Sequence, residues 1–253
     1  MKFDVVGAEL DVDRAGSGPV VVQAHGMTAS RASEAQWGFD FRGLAGTHTL
    51  IRYDARGHGE SSGRQEPQDY CWDNLATDLL SLLEEEQEPV DAIGASMGTA
   101  TILTAAVRRP EVFRRLVLVI PPTAWQTRDA QRGVYEAGAD AIERDGIEAF
   151  LAMLGTAAMP PVVAEKNMTT VPQVSGDLLP SVLRGAAVSD LPPLDVLARL
   201  SLPVLLLPWV GDATHPLSTA ETLAATLPDA RMQVAESVAD VERWPALVAD
   251  FLR

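Results

Sequence analysis

The chain has 253 residues, 47% of them hydrophobic, which suits one large α/β domain with a full core and not a disordered chain. A formal net charge of −15 argues against nucleic acid and anionic membranes as partners. No apolar run reaches membrane-spanning length, the amino terminus lacks a signal-peptide pattern, and the single cysteine, Cys71, excludes an intrachain disulfide. We therefore expect a soluble cytoplasmic protein.

The first part of the chain alternates between strand and helix patterns. Alternating apolar and polar residues over 3–13 predict an amino-terminal strand or hairpin arm, and the β-branched run at 19–24 predicts a strand buried on both faces. A helix over about 33–44 and a second buried strand over 47–53 follow. Apolar residues at helical spacing then predict an amphipathic helix over 69–86.

The next stretch carries a G-x-S-x-G motif formed by Gly94, Ser96 and Gly98. It follows a short apolar strand pattern beginning at Val90 and precedes a helix-forming run that stops before Pro110. A serine on so sharp a strand-to-helix turn is held out from the backbone, and glycines are needed beside it because side chains would clash. We interpret Ser96 as a nucleophile; the alternative is an ordinary strand–helix turn.

The pattern changes after a strand over 115–120. Residues 123–199 show helical patterns and no strand pattern, which predicts a helical cap inserted into a core formed by residues 1–122 and 200–253. A separate helical domain is the alternative. Five cap residues are candidates for an apolar pocket lining, or for plain packing: Trp125, Met153, Leu154, Met159 and Met168.

The sheet pattern resumes over 202–207 and ends in a loop that contains Asp212 and His215. A helix over 219–227, a last strand over 230–235 and a closing helix that opens at Pro245 complete the chain. Strands alternating with helices predict a doubly wound parallel sheet, whose ligands bind at the carboxyl ends of the strands. The motif-bearing loops would converge at that edge.

Three motifs together resemble the α/β-hydrolase superfamily over nearly the whole chain outside the cap. They are His25-Gly26-Met27 after the third strand, Asp54-x-Arg56-Gly57-His58-Gly59-x-Ser61 after the fourth, and the G-x-S-x-G turn after the fifth. The resemblance implies an α/β-hydrolase fold, with a mostly parallel eight-stranded sheet flanked by helices and a pocket between sheet and cap.

The resemblance also implies roles for individual residues. Ser96 would attack a carbonyl carbon, and the backbone N–H groups of Met27 and Met97 would form the oxyanion hole. Asp212 fits the position of the catalytic acid, the alternative being a solvated loop aspartate. The charged residues of the stretch from Asp54 to Ser61 would be structural.

The family's base histidine follows the last strand, where this chain has Val238 at about the corresponding place and no histidine beyond His215. A serine hydroxyl needs an adjacent base. His25 and His58 belong to the structural motifs, and His48 is expected on a surface turn. His215 is therefore the candidate base, unless it is a loop histidine satisfied by neighbouring backbone.

A third possibility makes Asp240 or Glu236 the base, which requires a raised carboxylate pKa. The predicted function is cofactor-free hydrolysis of an ester, lactone or similar small acyl compound through an acyl-serine. The alternative is a lyase, cyclase or ligand-binding protein of the same fold without a working triad. No metal is expected, because no cluster of ligands has metal-binding spacing, and no dinucleotide fingerprint is present.

Overall fold

The computed structural model describes residues 1–156, 160–165 and 171–253. Its strands are β1 (Lys2–Val5), β2 (Ala8–Gly16), β3 (Val20–Ala24), β4 (Thr49–Tyr53), β5 (Val90–Ala95), β6 (Phe113–Val119), β7 (Val204–Leu207) and β8 (Ala230–Met232). They form an eight-stranded sheet in the order β1-β2-β4-β3-β5-β6-β7-β8. Strand β2 pairs antiparallel with both β1 and β4, and the other five pairs are parallel, so the predicted fold class is confirmed.

Helices cover both faces of this sheet. They are α1 (Trp72–Leu82), α2 (Met97–Arg108), α3 (Arg128–Asp145), α4 (Ile147–Thr156), α5 (Pro161–Glu165), α6 (Leu179–Ala187), α7 (Leu194–Leu197), α8 (Leu217–Thr226), α9 (Val238–Glu242) and α10 (Trp244–Phe251). On β6, Leu116 and Leu118 join the core that α1 and α2 cover. Val117 and Val119 join the core that α10 covers. Successive residues of a strand point to opposite faces, so a central strand covered on both faces is mostly apolar.

Helices α3 to α7 lie between β6 and β7 in the chain, and the described residues of this segment contain no strand. They have a small core of their own, in which Tyr135, Phe150 and Leu183 are buried together with Tyr70 from the main domain. This helical segment corresponds to the predicted cap over 123–199. The division of the chain into cap and core stays a prediction.

The predicted helix over 33–44 is wrong. Two short 3-10 helices, Glu34–Trp37 and Arg42–Gly46, occupy this stretch. Gly38 between them has a φ of 88°, which ends the first turn, and Phe39 is turned inward to 3% exposure. Tertiary burial of an aromatic side chain has overridden the local helical pattern.

Two smaller expectations also need correction. The helix expected over 69–86 is preceded by a separate 3-10 turn, Pro67–Tyr70, so that Cys71 lies between the turn and α1 and not within a helix. His48 is buried and not on a surface turn, with its Nδ1 2.8 Å from the Thr47 hydroxyl. No helix in the described residues is long and apolar enough to cross a membrane.

Candidate active site

Ser96 sits on the turn between β5 and α2, as the motif predicts. Its φ of 51° and ψ of −110° lie outside the regions that L-residues favour, so the surrounding structure must hold it in place. A Cβ on Gly94 would lie 2.4 Å from the Gly98 carbonyl oxygen, and a Cβ on Gly98 would lie 2.0 Å from that of Ala24. Glycine at both positions therefore allows α2 to begin at the residue after Ser96 and to pack closely against β3.

Ser96, His215 and Asp212 are joined by hydrogen bonds. The Nε2 atom of His215 lies 2.7 Å from Ser96 Oγ, and its Nδ1 atom lies 2.7 Å from Asp212 Oδ2. A carboxylate can only accept, so Nδ1 carries a proton, and in the neutral imidazole the Nε2 lone pair then faces the serine hydroxyl. The structure thus brings together the three residues that the sequence proposed for nucleophile, base and acid.

The loop after β7 explains how residues three positions apart can make this arrangement. Asp212 Oδ1 accepts hydrogen bonds from the backbone N–H groups of Thr214 at 2.9 Å and His215 at 3.3 Å. The chain therefore curls around its own carboxylate, as aspartate commonly makes it do in turns. Gly211, with a φ of 76°, permits the reversal before it. The curl brings the imidazole back over Oδ2.

Trp209 completes the surroundings of the Asp212 carboxylate, and sequence reasoning missed it. Its indole Nε1–H donates to Oδ2 at 2.8 Å, and the ring is 3% exposed. Burial raises the pKa of Asp212, but the charge of His215 and the hydrogen bonds from His215, Trp209 and Thr214 outweigh it, so the pKa lies well below its usual range. Asp212 is therefore ionised and able to stabilise an imidazolium.

Two backbone N–H groups lie next to the serine. Met97 is the first residue of α2, so its N–H has no partner within the helix. Met27 follows Gly26, whose Cα is so close to the serine that an added Cβ would lie 3.7 Å from Ser96 Cβ. Within the described part of the chain, neither N–H donates a hydrogen bond. These are the two N–H groups that the family resemblance names as oxyanion donors, and that role stays a prediction.

The histidines of the other motifs are held by backbone groups. His25 Nε2 accepts from the Ala55 N–H at 2.9 Å, and its Nδ1 lies 2.8 Å from the Gly26 carbonyl oxygen. His58 is completely buried, with its ring nitrogens against the carbonyl oxygens of Arg56 and Met27. Burial is the largest cause that lowers the pKa of both imidazoles, that of His25 to about 3.

The structure does not favour a carboxylate base near the carboxyl terminus. Asp240 forms a capping box with Ser237, the N-cap of helix α9, from which it accepts hydrogen bonds, and it pairs with Arg243. Hydrogen bonds from Ser237, Glu236 and Arg243 lower its pKa, whereas a base would need a raised one. Glu236 is exposed to solvent.

The predicted pocket-lining residues are spread over different environments. Trp125 packs against the main core, and its Nε1–H donates to the Pro192 carbonyl at 3.1 Å, which anchors the start of the cap. Met153 and Leu154 are exposed on α4. Met159 and Met168 lie outside the described residues.

The fold and the serine turn define a class of protein, and the sequence agrees. The chain belongs to the alpha/beta hydrolase fold family, whose model matches residues 19–159. A hydrolase from Pseudomonas aeruginosa PA01 superimposes with a TM-score of 0.83 at 23% identity, covering 100% of this chain and 97% of that one. The enol-lactonase from Burkholderia xenovorans LB400 gives a TM-score of 0.79 at 19% identity, covering 100% and 99% of the two chains. At these identities the likeness shows the fold alone.

Among curated proteins, the chain is 29% identical to pyrrolizixenacetamide deacetylase from Xenorhabdus hominickii over 119 residues. That alignment covers 47% of this chain and 43% of the deacetylase. The chain spans about half the length, or less, of the first curated relatives it matches.

Proposed function

We propose that this protein is a serine hydrolase that cleaves an ester, lactone or similar small acyl substrate through an acyl-serine intermediate. The observation that carries the proposal is the continuous hydrogen-bonded chain from Asp212 through His215 to Ser96, with both contacts at 2.7 Å. A hydroxyl at that distance from an imidazole lone pair is within reach for proton transfer as it attacks.

In the acylation step, Ser96 Oγ bonds to the substrate carbonyl carbon while His215 Nε2 takes the hydroxyl proton. The carbonyl oxygen becomes an oxyanion, and the N–H groups of Met27 and Met97 donate to it. His215 then gives the proton to the leaving oxygen or nitrogen as that bond breaks. Asp212 holds the imidazole in the required tautomer and stabilises its charge.

In the deacylation step, a water molecule attacks the acyl-serine and passes a proton to His215 Nε2. The second tetrahedral intermediate collapses, the acid product leaves, and the proton returns to Ser96 Oγ. The base would come from the loop after β7 and not from the segment after the last strand. Acid and base would therefore share one turn.

The same hydrogen-bonded chain argues against a lyase, cyclase or binding protein without a triad, since such a protein has no need for an imidazole poised between serine and carboxylate. The curated relatives support an acyl-cleaving reaction, because one is named as a deacetylase and another, at 29% identity, as a 2-(acetamidomethylene)succinate hydrolase. Their names do not identify the substrate of this chain beyond an acyl compound.

Labelling with a fluorophosphonate, read by intact mass, tests the proposal. We expect one adduct on the wild type, none on Ser96→Ala, and a rate reduced by roughly 10³-fold or more on His215→Ala. His48→Gln is the control, because His48 is a buried histidine next to the amino end of β4, whereas the site lies at the carboxyl ends of the strands. It should label like the wild type.

The outcomes separate the hypotheses. A folded wild type that is not labelled would favour the lyase or binding function. Labelling of His215→Ala at the wild-type rate would remove His215 as the base. Loss of labelling in His48→Gln would mean that the assay reports on folding and not on the proposed proton transfer.

A further inference from the structure

A buried glutamate lies beside the loop that carries Met27, and the mechanism above does not use it. Glu34, on the short 3-10 helix after this loop, is 2% exposed. Its Oε1 accepts the backbone N–H of Gly26 at 2.9 Å, and its Oε2 accepts Gln23 Nε2 at 2.9 Å. The carboxyl group thus ties the end of β3 to the residue before the oxyanion donor.

The peptide unit that contains the Met27 N–H is held from its other side as well. The Gly26 carbonyl oxygen, which belongs to the same peptide unit, lies 2.8 Å from His25 Nδ1 and accepts the Ala29 N–H at 3.0 Å. In a trans peptide the C=O and the N–H point in opposite directions. Fixing the carbonyl therefore fixes where the Met27 N–H points.

Glycine at position 26 makes this restraint necessary. Gly26 has no side chain with which to restrict its φ and ψ, and a Cβ there would meet only Ser96 Cβ and the Ala95 carbonyl oxygen, both beyond 3.6 Å. Glu34 binds its N–H and His25 and Ala29 bind its C=O. Together these contacts hold both polar groups of the residue on which the direction of the Met27 N–H depends.

We propose that Glu34 is a positioning residue, which orients the Met27 N–H toward the oxyanion through its hydrogen bond to the Gly26 N–H. The inference rests on the proposed function, because it assigns a part in forming the oxyanion hole. An oxyanion donor stabilises the transition state only if it points at the developing charge beforehand. A displacement of about 1 Å at a reacting centre costs roughly 10²-fold in rate.

The surroundings allow Glu34 to do this in either protonation state. Burial raises its pKa to about 8, although hydrogen bonds from Gln23 and Gly26 and the charge of Arg52 act in the opposite direction. The charge of Glu34 also acts on the buried phenol of Tyr53. Gln23 Oε1 is buried and has no partner within the described residues, so turning the amide over would offer an acceptor to a protonated Glu34.

The experiment measures fluorophosphonate labelling of Ser96 as a saturation curve, which separates the maximal inactivation rate constant from the half-saturating probe concentration. Glu34→Gln keeps an oxygen for the Gly26 N–H and can exchange amide hydrogen bonds with Gln23, so we expect a rate constant within about threefold of the wild type. Glu34→Leu removes the acceptor and should lower the rate constant at least about tenfold, with half-saturation unchanged.

Asp91→Asn is the matched control. Asp91 is a buried carboxylate paired with Arg114 and Arg115, and it lies at the opposite end of β5 from Ser96. This variant should lower the melting temperature without changing the maximal rate constant. If Glu34→Leu does not fold, Glu34→Asp takes its place, because the shorter side chain cannot reach both Gly26 and Gln23.

Each outcome has a clear meaning. A loss of rate in Glu34→Leu or Glu34→Asp that Glu34→Gln restores would support the inference. Equal rate constants in all Glu34 variants, or a comparable loss in Asp91→Asn, would overturn it. A wild type that does not label at all would instead overturn the proposed function.

Discussion

At the scale of single residues, the Asp212 carboxylate gathers four donors on two oxygens. Thr214 and His215 donate backbone N–H groups to Oδ1, while the His215 imidazole and the Trp209 indole both donate to Oδ2. The hydrogen bonds from the two backbone N–H groups shape the loop. The hydrogen bonds from the two rings hold the carboxylate in the orientation in which Oδ2 accepts from His215 Nδ1. Of these four donors, only the indole N–H can be removed by a substitution that leaves the backbone and the candidate catalytic residues unchanged.

Trp209→Phe isolates that contribution. Phenylalanine keeps most of the ring between Phe39 and Trp244, which lie 5.8 and 6.5 Å away by ring centroid, but it has no N–H. A hydrogen bond to a charged group contributes about 1.5–3 kcal/mol, so we expect kcat for p-nitrophenyl acetate to fall roughly tenfold with KM unchanged. Stopped-flow or steady-state kinetics measures this. An unchanged kcat would show that the loop backbone alone orients Asp212.

Glu34 leads to a prediction about stability and pH. Burial raises its pKa from the ordinary 4.5 to about 8, so the folded protein keeps a proton that the unfolded chain releases between those pH values. At this residue the folded state then binds more protons, so the contribution of Glu34 to the free energy of unfolding falls as pH rises through this window. Glu34→Gln has no such proton to lose.

Urea unfolding at pH 5, 6.5 and 8.5 tests this linkage. The stability of Glu34→Gln relative to the wild type should increase from pH 5 to pH 8.5 and change little above that value. Because both proteins share every other titrating group, the difference isolates position 34. A difference that stays constant over the three pH values would mean that Glu34 titrates in its ordinary range.

Some residues of the candidate site can be predicted from the sequence and others cannot. Ser96 follows from a local motif, since the candidate nucleophile and the turn share the same few residues, and the family resemblance then points to the N–H groups of Met27 and Met97 as the proposed oxyanion donors. His215 could be reached only by eliminating the other histidines. Its geometry depends on hydrogen bonds from the loop backbone to Asp212, which no spacing rule reveals. Glu34 gives no sequence signal, because its partner is a backbone N–H of another segment.

At the scale of secondary structure elements, the close contact between α2 and β3 holds the serine turn in place. Strands buried on both faces were predictable, because β3, β4 and β5 are short and mostly apolar, with Gln23, Arg52 and Asp91 among the few polar residues in them. The stretch after β3 was not, because Glu34 and Phe39 are buried by contacts with distant segments that override local propensity. In such regions, tertiary contacts between elements determine the local structure.

Two glycine substitutions measure how tight the contact between α2 and β3 is. A Cβ on Gly98 would lie 2.0 Å from the Ala24 carbonyl oxygen, so Gly98→Ala should destabilise the protein by at least about 1–3 kcal/mol and displace the serine. Gly133 is the control, because it lies within α3 with no atom within 4 Å of an added Cβ. Gly133→Ala should stabilise the protein by about 0.5–1 kcal/mol. Thermal unfolding compares the two, and equal effects would contradict the structural difference.

At the scale of the whole molecule, the segment after the last strand packs but supplies no member of the hydrogen-bonded chain at Ser96. Trp244 at the start of α10 is fully buried and stacks on Phe39, with 5.7 Å between ring centroids. It also stacks on Trp209, whose indole holds Asp212. The carboxyl-terminal helix thus packs against Trp209, while the loop after β7 carries both Asp212 and His215, the proposed acid and base.

The net charge of −15 leads to a prediction for the complete molecule. Such a charge repels anionic ligands at long range, and salt weakens the repulsion, because the Debye length falls from about 30 Å at 0.01 M to about 8 Å at 0.15 M. We compare a neutral ester, p-nitrophenyl acetate, with an anionic one, the p-nitrophenyl monoester of succinic acid. The ratio of kcat/KM for the anionic to the neutral ester should rise at least about twofold over this range of salt.

The neutral ester corrects for general effects of salt on the enzyme, so the ratio reports charge alone. The effect should appear in KM and not in kcat, because long-range repulsion acts on the approach of the substrate and not on the bound state. A ratio that falls with salt would mean that positive side chains near Ser96 dominate the local field and attract anions despite the net charge. Substrates that carry a carboxylate would then be favoured, and the search for the natural acyl compound would turn to them.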